Sequence, residues 1–210
     1  MSIIIGIIIS YLIGSIPTAY LFGKMVKNID IRQHGSGNVG ATNVFRVFGK
    51  GPGIFVLVFD ILKGVIAVAL VPDMLGMADI FPRILMSLAV VGGHNWTCFL
   101  QFKGGKGIAT SLGVLIGLTI KIAVIRPVLL LTVLTWVVCF LISGFVSLSS
   151  IIAATALPIF MIFTNQSFSV VLLGVIFCVF VVLRHKPNIK RLLAGQEPKV
   201  LFNFNKKPKI

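Results

Sequence analysis

The chain has 210 residues, of which 57% are hydrophobic and only 11% charged, and its mean hydropathy is +1.07. So few polar residues could not cover the surface of a soluble domain of this length, which places the chain in a bilayer. The formal charge of +14 would suit a nucleic-acid binder if it lined a soluble face, but the basic residues gather between and after apolar runs, the pattern of cytoplasmic segments in a membrane protein and not of a nucleic-acid partner.

The first predicted span covers residues 3–22, long enough for ~30 Å of hydrocarbon, with Pro17 expected to kink it near its inner end. It has no basic leader and no small-residue cleavage site behind a short apolar core, so it reads as retained. Lys24, Lys27, Arg32, Arg46 and Lys50 then face a single acid, Asp30, which by the positive-inside rule puts this loop in the cytoplasm and the N-terminus outside. Within the loop, residues 34–46 combine Gly37, Gly40 and a third glycine with Ser36, Asn38, Thr42, Asn43 and Arg46. Hydroxyls, amides and exposed backbone N–H groups offer a phosphate neutral donors, and Arg46 adds a planar charged fork. The plain alternative is a polar loop whose glycines only make turns.

A second span, residues 53–71, carries Asp60 and Lys63 three positions apart on one helical face. They are expected to pair and to serve helix packing more than catalysis. The connection holding Pro72, Asp73, Asp79 and Pro82 reads as external. The third span, residues 83–102, contains Gly92, Gly93, His94 and Asn95; His94 is expected to hydrogen-bond a neighbouring helix.

Lys103-Gly104-Gly105-Lys106-Gly107 follows, directly before an apolar helix that starts Ile108-Ala109-Thr110. Glycines let backbone approach a phosphate, the helix N-terminus offers N–H groups, and Lys106 adds charge, so this is a second anion site. It lacks the Walker spacing and has Gly107 where Ser or Thr would stand, which disfavours a nucleotidase.

Four further spans are predicted at residues 108–124, 127–143, 145–163 and 168–183. Lys121 and Arg126 fall on the predicted outer side, against the topology. Only a short polar link at Ser143 and Gly144 separates the fifth and sixth spans, so a re-entrant pair and five crossings is the alternative to seven. Either odd number leaves the C-terminus in the cytoplasm. The expected fold is therefore all-α, a polytopic membrane bundle of about seven helices forming one integral-membrane domain over residues 1–210. Cys98, Cys139 and Cys178 lie apart in apolar segments with no metal-ligand spacing and read as buried free thiols; no metal or other cofactor is expected. Asn95-Trp96-Thr97 and Asn165-Gln166-Ser167 match the glycosylation pattern, but one lies in the membrane and the other in a tight turn, so neither reads as modified.

The tail places His185 and Asn188 at the membrane surface, with Pro187 expected to stop the helix and Glu197 the only glutamate of the chain. Its basic residues would also attract anionic lipid, and residues 203–210 read as no more than a lipid-surface anchor. On this topology the first loop, the Gly-Gly-Lys-Gly loop and the proximal tail all lie on one side of the membrane. Two phosphate-suited stretches beside a His/Asn pair point to an enzyme or transporter that handles a phosphorylated substrate and something lipid-soluble.

Ser36-Gly37-Asn38-Val39-Gly40-Ala41-Thr42-Asn43 with Arg46, Gly93-His94 followed by residues 102–110, and His185-x-x-Asn188-Ile189-x-Arg191-Leu192-x-x-Gly195-x-Glu197 resemble, in order, the three motifs of the bacterial acyl-phosphate:glycerol-3-phosphate acyltransferases. Residues 15–18 and 60–64 are similar to that family as well, so the resemblance covers nearly the whole chain. One departure is Pro187, where a polar residue is expected. The resemblance implies a multi-pass bacterial plasma-membrane enzyme with its active site facing the cytoplasm. It would move a fatty acyl group from acyl phosphate to the 1-position of sn-glycerol 3-phosphate, giving lysophosphatidic acid and phosphate. It assigns Ser36, Asn38, Arg46, His185, Asn188 and Glu197 to the catalytic motifs. Gly37, Gly40, Thr42, Asn43, Lys103, Gly104, Gly105, Lys106 and Gly107 would bind substrate, Lys106 and its glycines holding the glycerol 3-phosphate.

The His–Asp pair of acyl-CoA-dependent glycerolipid acyltransferases is absent: five positions after the three histidines stand Val39, Phe99 and Lys190. Two bases remain for the glycerol hydroxyl, His185 or the phosphate of the acyl donor, and the second is favoured because the leaving group is already good. No histidine–acid pair in the sequence activates Ser36 as a nucleophile, so it reads as a hydrogen-bond donor. The competing class is a membrane transporter of an organophosphate anion, which would need polar residues running across the spans, and beyond Asp60 and Lys63 there are few.

Overall fold

A computed structural model describes residues 1–199; the expected lipid anchor at 203–210 lies outside the described residues. Each of the seven apolar segments is helical over most of its length, but the third leaves the helix at Asn95 and does not reach residue 102. In chain order the α-helices are α1 (Ser2–Ser15), α2 (Thr18–Lys27), α3 (Ala41–Phe48), α4 (Lys50–Val65), α5 (Val71–Met74), α6 (Ile80–Asn95), α7 (Ile108–Lys121), α8 (Arg126–Ser143), α9 (Val146–Phe163), α10 (Phe168–Arg184) and α11 (Lys186–Leu193). A π-helical stretch, Ile66–Leu70, joins α4 to α5.

Length decides which helices can cross a bilayer, and here the count departs from seven. Among the described residues four stretches are long and apolar enough: Ser2–Lys27, Lys50–Met74, Ala123–Ser143 and Val146–Phe163. A fifth arises if α10 and α11, bent by 61°, are taken as one span. The short helices are the third and fourth of the predicted set, not the fifth and sixth, so the re-entrant alternative at Ser143 and Gly144 gives way to two full-length helices, α8 and α9. At ~1.5 Å per residue α6 and α7 reach only about 24 and 21 Å, short of ~30 Å of hydrocarbon. Helix α6 stops early because the chain turns back on it: the N–H groups of Gly104 and Gly105 donate to the carbonyls of Asn95 (3.2 Å) and His94 (2.9 Å).

The chain divides into two compact units, residues 1–118 and residues from 119 onward. In the first, α1 packs along α6, and α4 lies against α2, α3 and α6. Glycines set the close crossings: a methyl group on Gly14 would fall 2.0 Å from the Val90 carbonyl oxygen, and one on Gly113 of α7 would fall 1.9 Å from that of Ile61 in α4. Small residues let such backbones touch where lipid offers no hydrophobic drive for helix association. Pro17 breaks the first span as expected, ending α1 at Ser15 and starting α2 at Thr18. Buried Arg83 donates to the Val68 carbonyl (2.8 Å) in the π-helical stretch and pairs with Asp73 (2.5 Å), so the buried charge has partners.

In the second unit α9 packs between α8 and α10 and also meets α11. Pro187 does not end the helix but opens a new one, since it sits in the first turn of α11, where a missing N–H costs nothing. The three cysteines are free, but they are not buried: Cys98 is exposed and Cys139 and Cys178 are half-buried. Apolar surroundings in sequence do not distinguish a core from a lipid-facing surface. Helix α8, which carries Cys139, buries only Val128.

Candidate active site

The first polar loop is shaped from beneath by apolar anchors and from within by one amide. Ile31, Val39, Val44 and Val47 are buried with Ala19, Val56 and Leu100 in a common cluster, which fixes both ends of the loop. Asn43, 1% exposed, lies in the first turn of α3. Its Oδ1 accepts from the Ser36 N–H (2.8 Å), while Nδ2 donates to the carbonyls of His34 (2.9 Å) and Ile31 (3.2 Å). Asn43 thus uses both ends of its amide to hold the loop, and Ser36, at its tip, is exposed. Gly37 has φ +70°, a left-handed conformation that favours glycine. Asn38 covers Gly40, and Thr42 and Arg46 are half-buried on α3.

Asp30 accepts from the Arg32 backbone N–H (3.0 Å) and guanidinium (2.6 Å), and that guanidinium also lies 5.2 Å from the Tyr20 ring centroid. The side-chain bonds from Arg32 hold the Asp30 carboxyl below the usual range. Arg32 is therefore committed to the loop's own frame.

The second loop leaves α6 and returns to it. Thr97 donates to the Ser15 carbonyl (2.5 Å) and Tyr11 to that of Trp96 (2.7 Å), which tie the excursion to α1. Gly104 and Gly105 are buried, and side chains there would collide with α6: a methyl on Gly104 would lie 2.1 Å from the His94 carbonyl oxygen, one on Gly105 2.1 Å from His94 Nε2. Gly107 has φ +79° and hands the chain to α7. Lys106 is half-buried and Lys103 exposed.

Both loops border one small cleft, to which Val39 of the first and Gly104 and Gly105 of the second contribute. Beneath it lie Thr18, Asp60, Lys63 and His94. Asp60 and Lys63 pair as expected (2.7 Å), and both are buried. Lys63 Nζ also donates to the Ile16 carbonyl (2.5 Å), and Thr18 Oγ1 to Asp60 Oδ1 (3.1 Å). His94 Nδ1 lies 3.8 Å from the same oxygen. The neighbouring helix is α4, and the group it brings to the ring is an acid, at ion-pair and not hydrogen-bond distance. No spacing rule could have found this neighbour, since the two residues sit on different helices.

The third motif lies in the second unit. His185, between α10 and α11, is buried, and its Nδ1 is 2.8 Å from the Val181 carbonyl oxygen. A carbonyl can only accept, so Nδ1 carries the proton and Nε2 is the acceptor of the neutral ring. Glu197 is buried, and its Oε1 accepts from Asn188 (2.6 Å) and Ser147 (2.8 Å), its Oε2 from Arg191 (2.7 Å). Burial works to raise the carboxyl's pKa, but the hydrogen bonds from Asn188, Ser147 and Arg191 together outweigh it and hold it below the usual range. Ser147 was not singled out by sequence reasoning, because one serine in an apolar helix carries no local signal. Among the described residues, no group of three or more His, Cys, Asp or Glu could hold a metal ion.

Residues 4–195 match the family model for glycerol-3-phosphate acyltransferase. The glycerol-3-phosphate acyltransferase of Desulforudis audaxviator is 44% identical over 209 residues, covering 98% of each chain. That of Gloeobacter violaceus is 43% identical over 193 residues, covering 91% of each. Two crystal structures of PlsY (YgiH), an integral membrane glycerol 3-phosphate acyltransferase, are similar throughout at 36% identity. The glycerol 3-phosphate form has a TM-score of 0.86 and covers 95% of this chain and 96% of that one; the lysophosphatidic acid form has a TM-score of 0.83 and covers 95% of each.

Proposed function

Because the chain belongs to the glycerol-3-phosphate acyltransferase family and is an integral, multi-pass membrane enzyme of that kind, we propose that it acylates the 1-hydroxyl of sn-glycerol 3-phosphate from acyl phosphate, giving lysophosphatidic acid and phosphate. The observation that carries this reading is the sharing of one cleft by the two glycine-bearing loops. Both reacting molecules carry a phosphate, and each loop is suited to one. Related enzymes have been captured with glycerol 3-phosphate and with lysophosphatidic acid, the acceptor and product of this reaction. The transporter reading is disfavoured by the same family membership and by Asp60 and Lys63, which pair with each other and do not string out into a path.

In the proposed reaction the glycerol oxygen bonds to the acyl carbon, the carbon–oxygen bond to phosphate breaks, and the hydroxyl proton leaves with the phosphate. The residues supply orientation and charge stabilisation. Lys106 and Lys103 hold glycerol 3-phosphate, with Gly104, Gly105 and Gly107 letting the backbone come close to it; Arg46, Ser36 and Asn38 hold phosphate oxygens, with Gly37, Gly40 and Thr42 shaping the loop around them. Asn43 shapes that loop from inside. Asn188 takes a polar contact, with Glu197 positioning it. A second base is open because His185, with Nδ1 donating to Val181, presents Nε2 as an acceptor when neutral. The site would face the cytoplasm of a bacterial plasma membrane, with the N-terminus outside.

The test is acyl transfer by the purified protein in detergent, with glycerol 3-phosphate and either palmitoyl phosphate or palmitoyl-CoA. Product from the acyl phosphate alone, lost in Lys106→Ala, is the expected result. Product from the CoA ester would overturn the donor assignment, and an active Lys106→Ala would overturn the role of the second loop.

A further inference from the structure

The Asp60–Lys63 pair is more connected than a packing contact needs to be. Removing a buried ion pair in favour of apolar residues is often neutral or stabilising, so such a pair at membrane depth is poor evidence for stability as its purpose. Its geometry suggests another use. Through Thr18 Oγ1 the acid touches the first turn of α2, the helix that leads into the first polar loop. Through His94 it touches the last turn of α6, from which the second loop departs. Lys63 adds the Ile16 carbonyl, at the break between α1 and α2. One carboxylate thus stands at the roots of both loops.

His94 passes this placement on. Its carbonyl accepts from the Gly105 N–H (2.9 Å), and its ring Nε2 lies where a Gly105 side chain would have to go. The residue is 8% exposed, with Asp60 on its Nδ1 side and the Gly105 backbone on its Nε2 side, so a shift of the imidazole is a shift of Gly105 and of the lysine beside it. Close-packed groups transmit displacement in this way.

We propose that Asp60, held by Lys63 and Thr18 and acting through His94, is a positioning residue that sets the seat of the 103–107 loop and so its grip on the phosphate of glycerol 3-phosphate. This rests on the reading of that loop as the glycerol 3-phosphate site. Neither residue touches substrate in the proposal. A misplacement of about 1 Å well away from the reacting atoms can cost up to about a hundredfold, so the effect is large enough to measure.

The experiment compares KM for glycerol 3-phosphate and kcat, at saturating acyl donor, in wild type, Asp60→Asn, His94→Ala, His94→Gln and Lys106→Ala, with the melting temperature of each in detergent. Asp60→Asn and His94→Ala should raise KM about tenfold or more while kcat stays within about threefold. His94→Gln, which refills part of the ring's volume, should recover much of the loss. A purely structural role would lower melting temperature and active yield and leave KM alone, and that result overturns the proposal. Should Asp60→Asn fail to fold because Lys63 is left unpaired, Asp60→Asn with Lys63→Met removes both charges; a wild-type KM in that variant and in His94→Gln overturns the proposal equally. Lys106→Ala separates the two readings. If its KM is unchanged, the assignment of the loop has failed and the positioning role falls with it. If activity is lost or KM rises there while the Asp60 and His94 variants keep a wild-type KM, only the positioning role is wrong.

Discussion

The side-chain amide of Asn188 donates to Oε1 of Glu197 at 2.6 Å, and the acid is buried while it accepts this bond. With Ser147 and Arg191 also donating to it, Glu197 ties the segment after α11 back to α11 and α9. Glu197→Gln keeps the shape but turns an NH2 group towards donors, so at least one of the three loses its acceptor. A buried donor without a partner costs about 1–3 kcal/mol, and more when charged. The substitution should lower the melting temperature in detergent and, by releasing Asn188, reduce kcat about tenfold or more. Wild-type kcat in a folded Glu197→Gln protein would show that Asn188 needs no such hold.

The same carboxylate gives a pH dependence of known sign. Burial raises its pKa, yet the bonds from Asn188, Ser147 and Arg191 win, so the folded value lies below the ordinary one. A group depressed on folding contributes stability that is fully present above its unfolded pKa and lost as pH falls through the folded one. Limited proteolysis around residues 194–199 should therefore be flat from neutral pH down to about 5 and rise only below about 4. In Glu197→Gln cleavage should be faster throughout and should lose that acid-dependent rise.

Asn43 makes the opposite kind of prediction, about a loop and not a helix. Asn43→Asp preserves the acceptor for the Ser36 N–H but aims a second acceptor at the carbonyls of His34 and Ile31. Asn43→Ala leaves one donor and two acceptors without it. Because two facing acceptors repel as well as lose a bond, Asn43→Asp should be the more damaging at neutral pH, with KM for glycerol 3-phosphate or acyl donor raised in both. Equal kinetics for the two variants and wild type would remove Asn43 from the frame of the site.

Neighbouring glycines in α6 separate packing from helix propensity. A methyl group at Gly92 meets nothing within 4 Å, whereas one at Gly93 would lie 2.2 Å from the Tyr11 carbonyl oxygen. Gly92→Ala should be neutral or stabilising by up to about 1 kcal/mol. Gly93→Ala must push α1 from α6 and should reduce the yield of monodisperse protein in detergent. Size-exclusion profiles and melting curves of the pair check this directly.

Much of this protein is readable from local pattern. Hydropathy announced the bilayer and placed the apolar helical segments, but not how many of the seven are long enough to cross it, because burial in lipid demands apolar side chains and internal backbone hydrogen bonds while helix length is settled by packing. Pro17 marked the break in the first span, and the three-residue spacing of Asp60 and Lys63 foretold their pair, since a helix brings such residues to one face. The motif residues around Ser36, Lys106 and His185 carried the family.

What the sequence by itself determined, then, was the solvent, the helices and the chemistry at their ends. The tertiary structure alone decided where α6 stops, that both ends of the Asn43 amide hold a loop, that Glu197 is a buried clamp, and that Asp60 stands beside His94. Each of these depends on groups from separate segments arriving at one place. A hydrogen-bonding or charged side chain is locally indifferent to its partner; its role is settled only when packing removes water and leaves one neighbour able to satisfy it.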